Sequence, residues 1–503
     1  MNPIPNPQSP TPHRLTLPRL LTAIVFIAIF TMAVRVPADS DTWWHLQSGR
    51  WIVEHHTIPK TDPFSHTRAG EPWVDHSWLA QIVLFTLYDA FSYAGLALLV
   101  AALVTMAFYF VWLQCQEGDK WLRAFTLIIA ATTSGVIWVA RPQMFSFAFT
   151  AVVAYLLHRY KRGDPKAIWW LPATILVWVN THGGFAVGFI LMVAYLFGEV
   201  GNRVLGIGKL GNWEIGKLAL VFLVCLLMVP INPNGAQMWG YPFRTVGMGV
   251  LQDFIAEWRS PDFHQLHLHP FIWMLLAALT AVGLSGRRAD FTDLTLVALF
   301  TYMSLLAGRN IALFALVAAP VVARYGSAAL AEWRIRRAGT EARPYHIRPR
   351  RATVEGRPYV VLNWVLLGLV VIAALVKISQ PLSPAVNEEA KAKTLPVGAI
   401  EYLRQERPEG PIFNSYNWGG YLIWGLPEYP VFVDGRTDLY DDAFLREYLS
   451  IVFAQDGWEE TLDSYGINLA LIEPQSLVGR LLAERPGWKQ VYRDELATIF
   501  VRE

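Results

Sequence analysis

Residues 38–59 read ADSDTWWHLQSGRWIVEHHTIP. They follow directly on the apolar run 18–34 and at once bring in Asp39, Asp41, three tryptophans and three histidines. Two carboxylates beside a hydrocarbon boundary incur a desolvation cost with no packing gain in view. Their placement therefore points to chemistry at the membrane–water boundary, and the rest of the chain can be read outward from it.

The 503 residues are 54% hydrophobic and 16% charged, against about 25% charged for a soluble domain. Apolar runs recur at 18–34, 93–115, 122–140, 144–158, 167–180, 183–200, 216–230, 270–285, 292–308, 310–326 and 359–378. Segments of this length and composition predict membrane-crossing helices, about eleven in all. If the N-terminus is cytoplasmic, the inner segments and their flanks carry 22 of the 42 Lys and Arg residues, eight of them between Arg334 and Arg357. The outer loops before residue 377 carry eight. The positive-inside bias thus predicts a cytoplasmic N-terminus and an extracytoplasmic C-terminal region from about residue 380. No A-x-A site follows the first run, so it is read as a retained helix rather than a cleaved signal. Cys115 and Cys225 both fall inside predicted spans, which leaves no disulfide framework. The basic run 334–357 reads as a cytoplasmic loop gripping anionic lipid headgroups, and no nucleic-acid partner is expected.

The organisation that follows is a Pro-rich, disordered start (1–17), a transmembrane domain (18–378) and an α/β domain (380–503), with long outer loops at 35–92 and 231–269. In the first loop, TWWHLQSGRWIVEHH and HSWLAQIVLFTLYDAF read as two amphipathic helices lying at the interface. The last 124 residues predict helices at 396–406, 442–454, 458–465 and 475–484. Strands are expected near PIFNSY, YLIWGL, PVFVDGR and INLALIEP, with a terminal hairpin. Gly419-Gly420 and Asp434-Gly435 read as turns. Trp418, Tyr421 and Tyr440 suit either sugar stacking or, more simply, core packing.

Ionisable groups collect at the outer span ends, as do nine of the twelve histidines. A pump or ion-coupled transporter would bury charge near the midplane, so the pattern favours a reaction on a substrate whose apolar part stays in lipid. Asp39-Ser40-Asp41 is a D-x-D: it can share a divalent cation such as Mg or Mn, supply a base to a hydroxyl, or merely let Asp41 cap the next helix. His45, Asp75 and His76 from the same loop could join it. Arg141, Arg259 and Arg309 sit at outer span ends and suit phosphate recognition, with snorkelling as the plainer role. VNTHGGF (179–185) marks a tight turn whose glycines permit close packing. HQLHLH (264–269) has no carboxylate or cysteine at ligand spacing and reads as surface. There is no G-x-G-x-x-G and no P-loop, hence no nucleotide-sugar site.

In topology, and in DSDTWWHLQSGRWI most of all, the chain resembles integral-membrane glycosyltransferases of the GT-C type. These use polyprenyl-phosphate-linked sugars and include protein mannosyltransferases, lipid A aminoarabinose transferases and oligosaccharyltransferases. The resemblance implies that Asp41 is the catalytic carboxylate, with Asp39 beside it. It also implies a polyprenyl-phosphate-linked sugar donor and an acceptor that is a lipid, protein or polysaccharide. One departure stands out: the turn WVARPQMFSF between the third and fourth spans carries Arg141 where some relatives carry acidic residues. The expected activity is sugar transfer at the outer face of a bacterial plasma membrane. A polyprenyl-glycan flippase or a non-catalytic glycan-binding scaffold are the alternatives.

Overall fold

The computed structural model describes residues 15–208, 210–340 and 357–503. The Pro-rich start and most of the basic run 334–357 lie outside them. The protein is a multi-pass helical membrane protein with a small four-stranded sheet near its C-terminus. Each apolar run read from the sequence is helical. Among the described residues, six helices are long and apolar enough to cross a membrane: Trp78–Gln114, Gly183–Val204, Asn212–Ile231, Leu266–Leu284, Gly308–Arg337 and Tyr359–Leu382. Leu17–Ala33, Ala167–Thr181 and Phe291–Leu306 are apolar but shorter. The helices Leu17–Ala33, Leu171–Thr181, His269–Leu284 and Pro384–Thr394 take proline in the first turn (Pro18, Pro172, Pro270, Pro384), where the missing N–H costs nothing. Asp119 and Asp290 cap two others through backbone N–H groups.

The 37-residue helix Trp78–Gln114 would run about 55 Å if straight, nearly twice a bilayer core. Ser92, at φ 52° and ψ −143°, breaks it in two. Residues 78–91 form a separate arm, as the sequence predicted, and 93–114 form a crossing.

Near the far end of the bundle, about 28 Å along the helix Gln143–Lys161, lies a buried ionic cluster. Lys161 pairs with Glu199 and, at 2.6 Å, with Asp290; Arg324 meets Asp293 at 2.5 Å. Such pairs fix which helices meet more than they add net stability.

The sheet comprises β1 (Ile412–Asn414), β2 (Leu469–Ile472), β3 (Trp488–Arg493) and β4 (Thr498–Arg502), in the order β1-β2-β4-β3. β1 and β2 are parallel and the other pairs antiparallel. The four helices expected in this region are present, as is the hairpin. Two expected strands are not. YLIWGL belongs to a helix, Tyr416–Gly425, and of PVFVDGR only Val431 makes a bridge, to Ser65. The reason is Gly419-Gly420, which is not a turn but the contact face of that helix. A Cβ on Gly419 would lie 2.1 Å from the Val433 carbonyl oxygen, and one on Gly420 2.7 Å from that of Ser40. Glycine there lets the helix press against both segments, which a strand register could not do.

The C-terminal region and the loop 35–77 form one packed unit. The helix Thr42–His55, expected at the interface, is instead sandwiched: Trp43 and Trp44 are buried, with Trp43 edge-on to Tyr421 at 5.1 Å. Trp418, Tyr421 and Tyr440 are buried, which bears out the core-packing reading. Ser65 pairs with Val431, and Thr67 Oγ1 donates to the Phe432 carbonyl at 2.6 Å. At the centre is Arg436, wholly buried between Asp434 (2.7 and 2.9 Å) and Asp62 (2.5 Å) and lying over Phe64 and Trp73. Burial works against its charge, but the two carboxylates outweigh that and raise its pKa.

Candidate functional site

The first helix ends at Ala33, and an extended stretch leads to a turn at Ser40-Asp41. Asp41 N–H donates to Asp39 Oδ1 at 2.9 Å, a local bond that fixes the spacing of the two carboxylates. Thr42 Oγ1 donates to the Ala140 carbonyl (3.2 Å), and Arg35 reaches the Gly135 carbonyl (2.7 Å) while lying over Trp138. Those contacts hold segment 135–141 alongside the turn and deliver Arg141 to it.

Arg141 binds Asp39 in bidentate fashion, Nε to Oδ1 at 2.5 Å and Nη2 to Oδ2 at 2.7 Å. Its Nη1 lies 3.1 Å from Asp41 Oδ2 and 3.7 Å from Glu257 Oε1. Glu257 Oε1 is also 3.7 Å from Arg309 Nη1, and Arg309 stacks over Trp258 at 4.5 Å. Asp41 precedes the helix Thr42–His55, yet its side chain makes no capping bond. The capping role open to it in sequence is not realised.

One guanidinium thus serves three carboxylates. Asp41 carries the consequence: burial, only partly offset by Arg141 and reinforced by Asp39, Glu257 and Asp434, lifts its pKa to about 7. Arg141 itself is pulled down by burial but held above its usual value by Asp41 and Asp39. A carboxyl that exchanges its proton near neutrality is matched to general-base work.

Beside this cluster opens a cleft of about 480 Å³. Val136, Ile137 and Leu268 give it apolar walls; Glu257, Arg259 and Arg309 give it a charged end. Arg259 is exposed and has no carboxylate partner among the described residues. The Gly308 N–H bonds the Arg259 carbonyl at 3.0 Å, which keeps the two arginines together. At the rim, Asp262 is occupied by His264 (2.9 Å). His264 is fully exposed, in keeping with a surface reading of HQLHLH.

His45, Asp75 and His76 form a second group, joined by His182 and Asp438. Gln81 links Asp75 Oδ1 (2.9 Å) to His45 Nδ1 (3.4 Å). His76 lies 3.3 Å from the Tyr241 hydroxyl, 3.7 Å from Asp438 and 5.7 Å from the His182 ring. Asp75 is buried, which raises its pKa to about 6. Burial, then the nearby Arg141 charge, holds His45 well below its usual pKa, so it is neutral. Burial does the same to His182, whose Nδ1 accepts from the Gly184 N–H (3.0 Å) and bonds Ser146 Oγ (2.8 Å). Its ring proton is therefore on Nε2. VNTHGGF is close-packed as expected: a Cβ on Gly183 would meet Tyr241 at 2.4 Å.

The structure thus brings together Asp39, Asp41, Arg141 and Arg309, with Arg259 lining the same cleft, and sets His45, Asp75 and His76 in an adjoining layer. The sequence counts Glu257 and His182 among the ionisable groups at the outer span ends but gives them no role, and it passes over Asp438, which lies in the C-terminal region between the helices Tyr416–Gly425 and Asp442–Val452. Nothing local to the three signals convergence. The arrangement does not fit the expected Mg or Mn site. Asp39 spends both oxygens on Arg141, and among the described residues no three His, Cys, Asp or Glu side chains are placed to share a cation.

No protein-family model matches the chain, and no curated protein matches it in sequence. Its fold is nonetheless found among solved structures. It superposes on the apo oligosaccharyltransferase of Archaeoglobus fulgidus with a TM-score of 0.58 at 11% identity, over 96% of this chain and 74% of that one. The same enzyme tethered to an acceptor peptide gives 0.55, at the same identity and coverage. ArnT from Cupriavidus metallidurans, bound to undecaprenyl phosphate, gives 0.51 at 15% identity, over 96% and 97%. These are GT-C glycosyltransferases. At such identities the likeness establishes the fold alone: the chain folds as these GT-C-type membrane proteins do.

Proposed function

We propose that the protein is a GT-C glycosyltransferase that moves a sugar from a polyprenyl phosphate carrier to an acceptor at the outer face of the bacterial plasma membrane, with inversion. The observation that carries this reading is the convergence of Asp41, Asp39, Arg141, Glu257 and Arg309, from four distant parts of the chain, at the mouth of an apolar-walled cleft. The undecaprenyl phosphate named for ArnT supports the choice of carrier. Eleven crossings, with the N-terminus inside and residues 380–503 as an outer domain, put this cleft at the outer membrane surface.

In this reading the prenyl chain lies along Val136, Ile137 and Leu268, and the phosphate meets Arg259 and Arg309. An acceptor hydroxyl approaches Asp41, whose carboxylate takes its proton as the acceptor oxygen attacks the anomeric carbon. The bond from that carbon to the phosphate oxygen breaks, and the electron pair leaves with the phosphate. The arginines stabilise the charge that develops there, a role of the kind that oxyanion-binding donors fill elsewhere. Asp39, saturated by Arg141, is a positioning residue. It sets the guanidinium that in turn orients Asp41.

The test is mass spectrometry of glycolipids and surface glycans from cells with the gene, without it, and with Asp41→Asn in its place. Loss of one glycan decoration in both the deletion and the variant supports the transferase. Build-up of an inward-facing lipid-linked glycan in the deletion would point to a flippase instead, and an unchanged glycan profile would sink both.

A further inference from the structure

We infer that Glu257 is a placeholder for the donor phosphate: an internal anion that bridges Arg141 and Arg309 in the free protein and is displaced when the phosphate binds. The inference rests on the phosphate-binding reading of the cleft. It starts from one atom. Glu257 Oε1 is 3.7 Å from Arg141 Nη1 and equally 3.7 Å from Arg309 Nη1. Both distances are within reach of charge attraction and beyond hydrogen-bond length.

The surroundings are unevenly satisfied. Arg141 is already engaged by Asp39 and Asp41 at 2.5–3.1 Å. Among the described residues, Arg309 has no carboxylate closer than Glu257, and Arg259 has none. Glu257 makes no side-chain hydrogen bond among the described residues, and its side chain is 32% exposed in the cleft that would receive the donor. A carboxylate held by charge alone, with part of its surface open, is weakly bound. A phosphate group carries three oxygens that can take short, charge-assisted bonds from Arg309 and Arg259 together. Exchange of one anion for the other therefore gains hydrogen bonds, and the two cannot occupy the gap at once without like-charge repulsion.

The device has a use: it makes the site selective, because a neutral headgroup cannot displace a carboxylate.

The experiment measures undecaprenyl phosphate binding to the purified full chain in nanodiscs, with insertion and melting temperature checked for each variant. Removing the placeholder's charge in Glu257→Gln should tighten binding about tenfold, and Arg309→Ala should weaken it by at least as much. If the glutamine variant does not fold, Glu257→Ala replaces it, with the same expected direction. Weakened or unchanged binding in the Glu257 variant, beside a loss in Arg309→Ala, overturns the placeholder while leaving the phosphate site standing. No loss in Arg309→Ala removes the phosphate site and the placeholder with it.

Discussion

The carboxylate of Asp41 lies against the backbone of Gly435, so close that a methyl group on that glycine would sit 2.0 Å from Asp41 Oδ1. A residue of the C-terminal region thus forms one wall around the carboxylate just past the first helix, and the sheet region is part of the site rather than an appendage. Gly435 has no positive φ, so alanine suits its backbone and only the contact is disturbed. Gly435→Ala should therefore cut transfer at least tenfold by pushing Asp41 off Arg141. Overpacking of this kind costs about 1–3 kcal/mol. Steady-state turnover together with a thermal melt checks it; full activity would mean that the C-terminal region does not shape the site.

The pH profile should report Asp41. With its pKa lifted to about 7, turnover should fall about tenfold per pH unit below neutrality as the base becomes protonated. Stability should move the other way. The unfolded carboxyl ionises near 3.9, so between about pH 4 and 7 the folded state binds the extra proton, and Asp41 contributes less to stability as pH rises through that window. Asp75, raised to about 6, acts in the same direction. Turnover and melting temperature measured across pH 5–8 check both slopes, and a flat rate profile would remove Asp41 as the base.

The buried Arg436 should be the main fastening of the C-terminal region. Arg436→Met keeps the stem but leaves Asp62 and Asp434 facing each other at zero exposure. Breaking a buried pair by removing one partner costs about 3–5 kcal/mol. The expected result is a lower melting temperature and rapid proteolysis within 380–503, with the transmembrane bundle intact. Unchanged protease resistance would show that the aromatic contacts around Trp43 and Tyr421 suffice.

Much of this was legible in sequence because span ends are legible. Asp39 and Arg141 are 102 residues apart, yet each follows an apolar run by a few residues, and membrane topology alone puts both at one surface. Glu257 and Asp438 lie in loops whose path is set by tertiary packing, and no periodicity leads to them. The misread strands have a local cause. YLIWGL and PVFVDGR are apolar and short enough for strands, and only the close approach of Gly419-Gly420 to Val433 and Ser40 explains the helix. Arg436 was invisible for a similar reason: its partner Asp62 is 374 residues away.

Chelation distinguishes an arginine-based site from a cation-based one. Asp39 and Asp41 are engaged by Arg141, so EDTA treatment followed by gel filtration should leave turnover within about twofold, whereas loss of a needed metal would cost orders of magnitude. Activity that disappears and returns with added Mg or Mn would restore the cation to the site and require Arg141 to swing away.

Asp41→Asn is the sharpest test of the catalytic assignment. The amide keeps the shape of the carboxylate but has neither its charge nor its basicity. Were Asp41 a helix cap, asparagine would serve as well and nothing would change; the side chain makes no capping bond in any case. Were it a structural partner of Arg141, the loss would appear mainly in the melt, because the 3.1 Å contact would weaken. As a general base it should cost about 100- to 10,000-fold in rate. The melt should change little or rise slightly, since the substitution also removes a carboxylate that burial disfavours. Asp39→Asn is the comparison. It should loosen the bidentate hold on Arg141 and so lower donor affinity and stability together, with a smaller effect on the rate of the bound complex. Turnover, donor affinity and melting temperature of the two purified variants separate these cases, and normal turnover in Asp41→Asn would end the assignment.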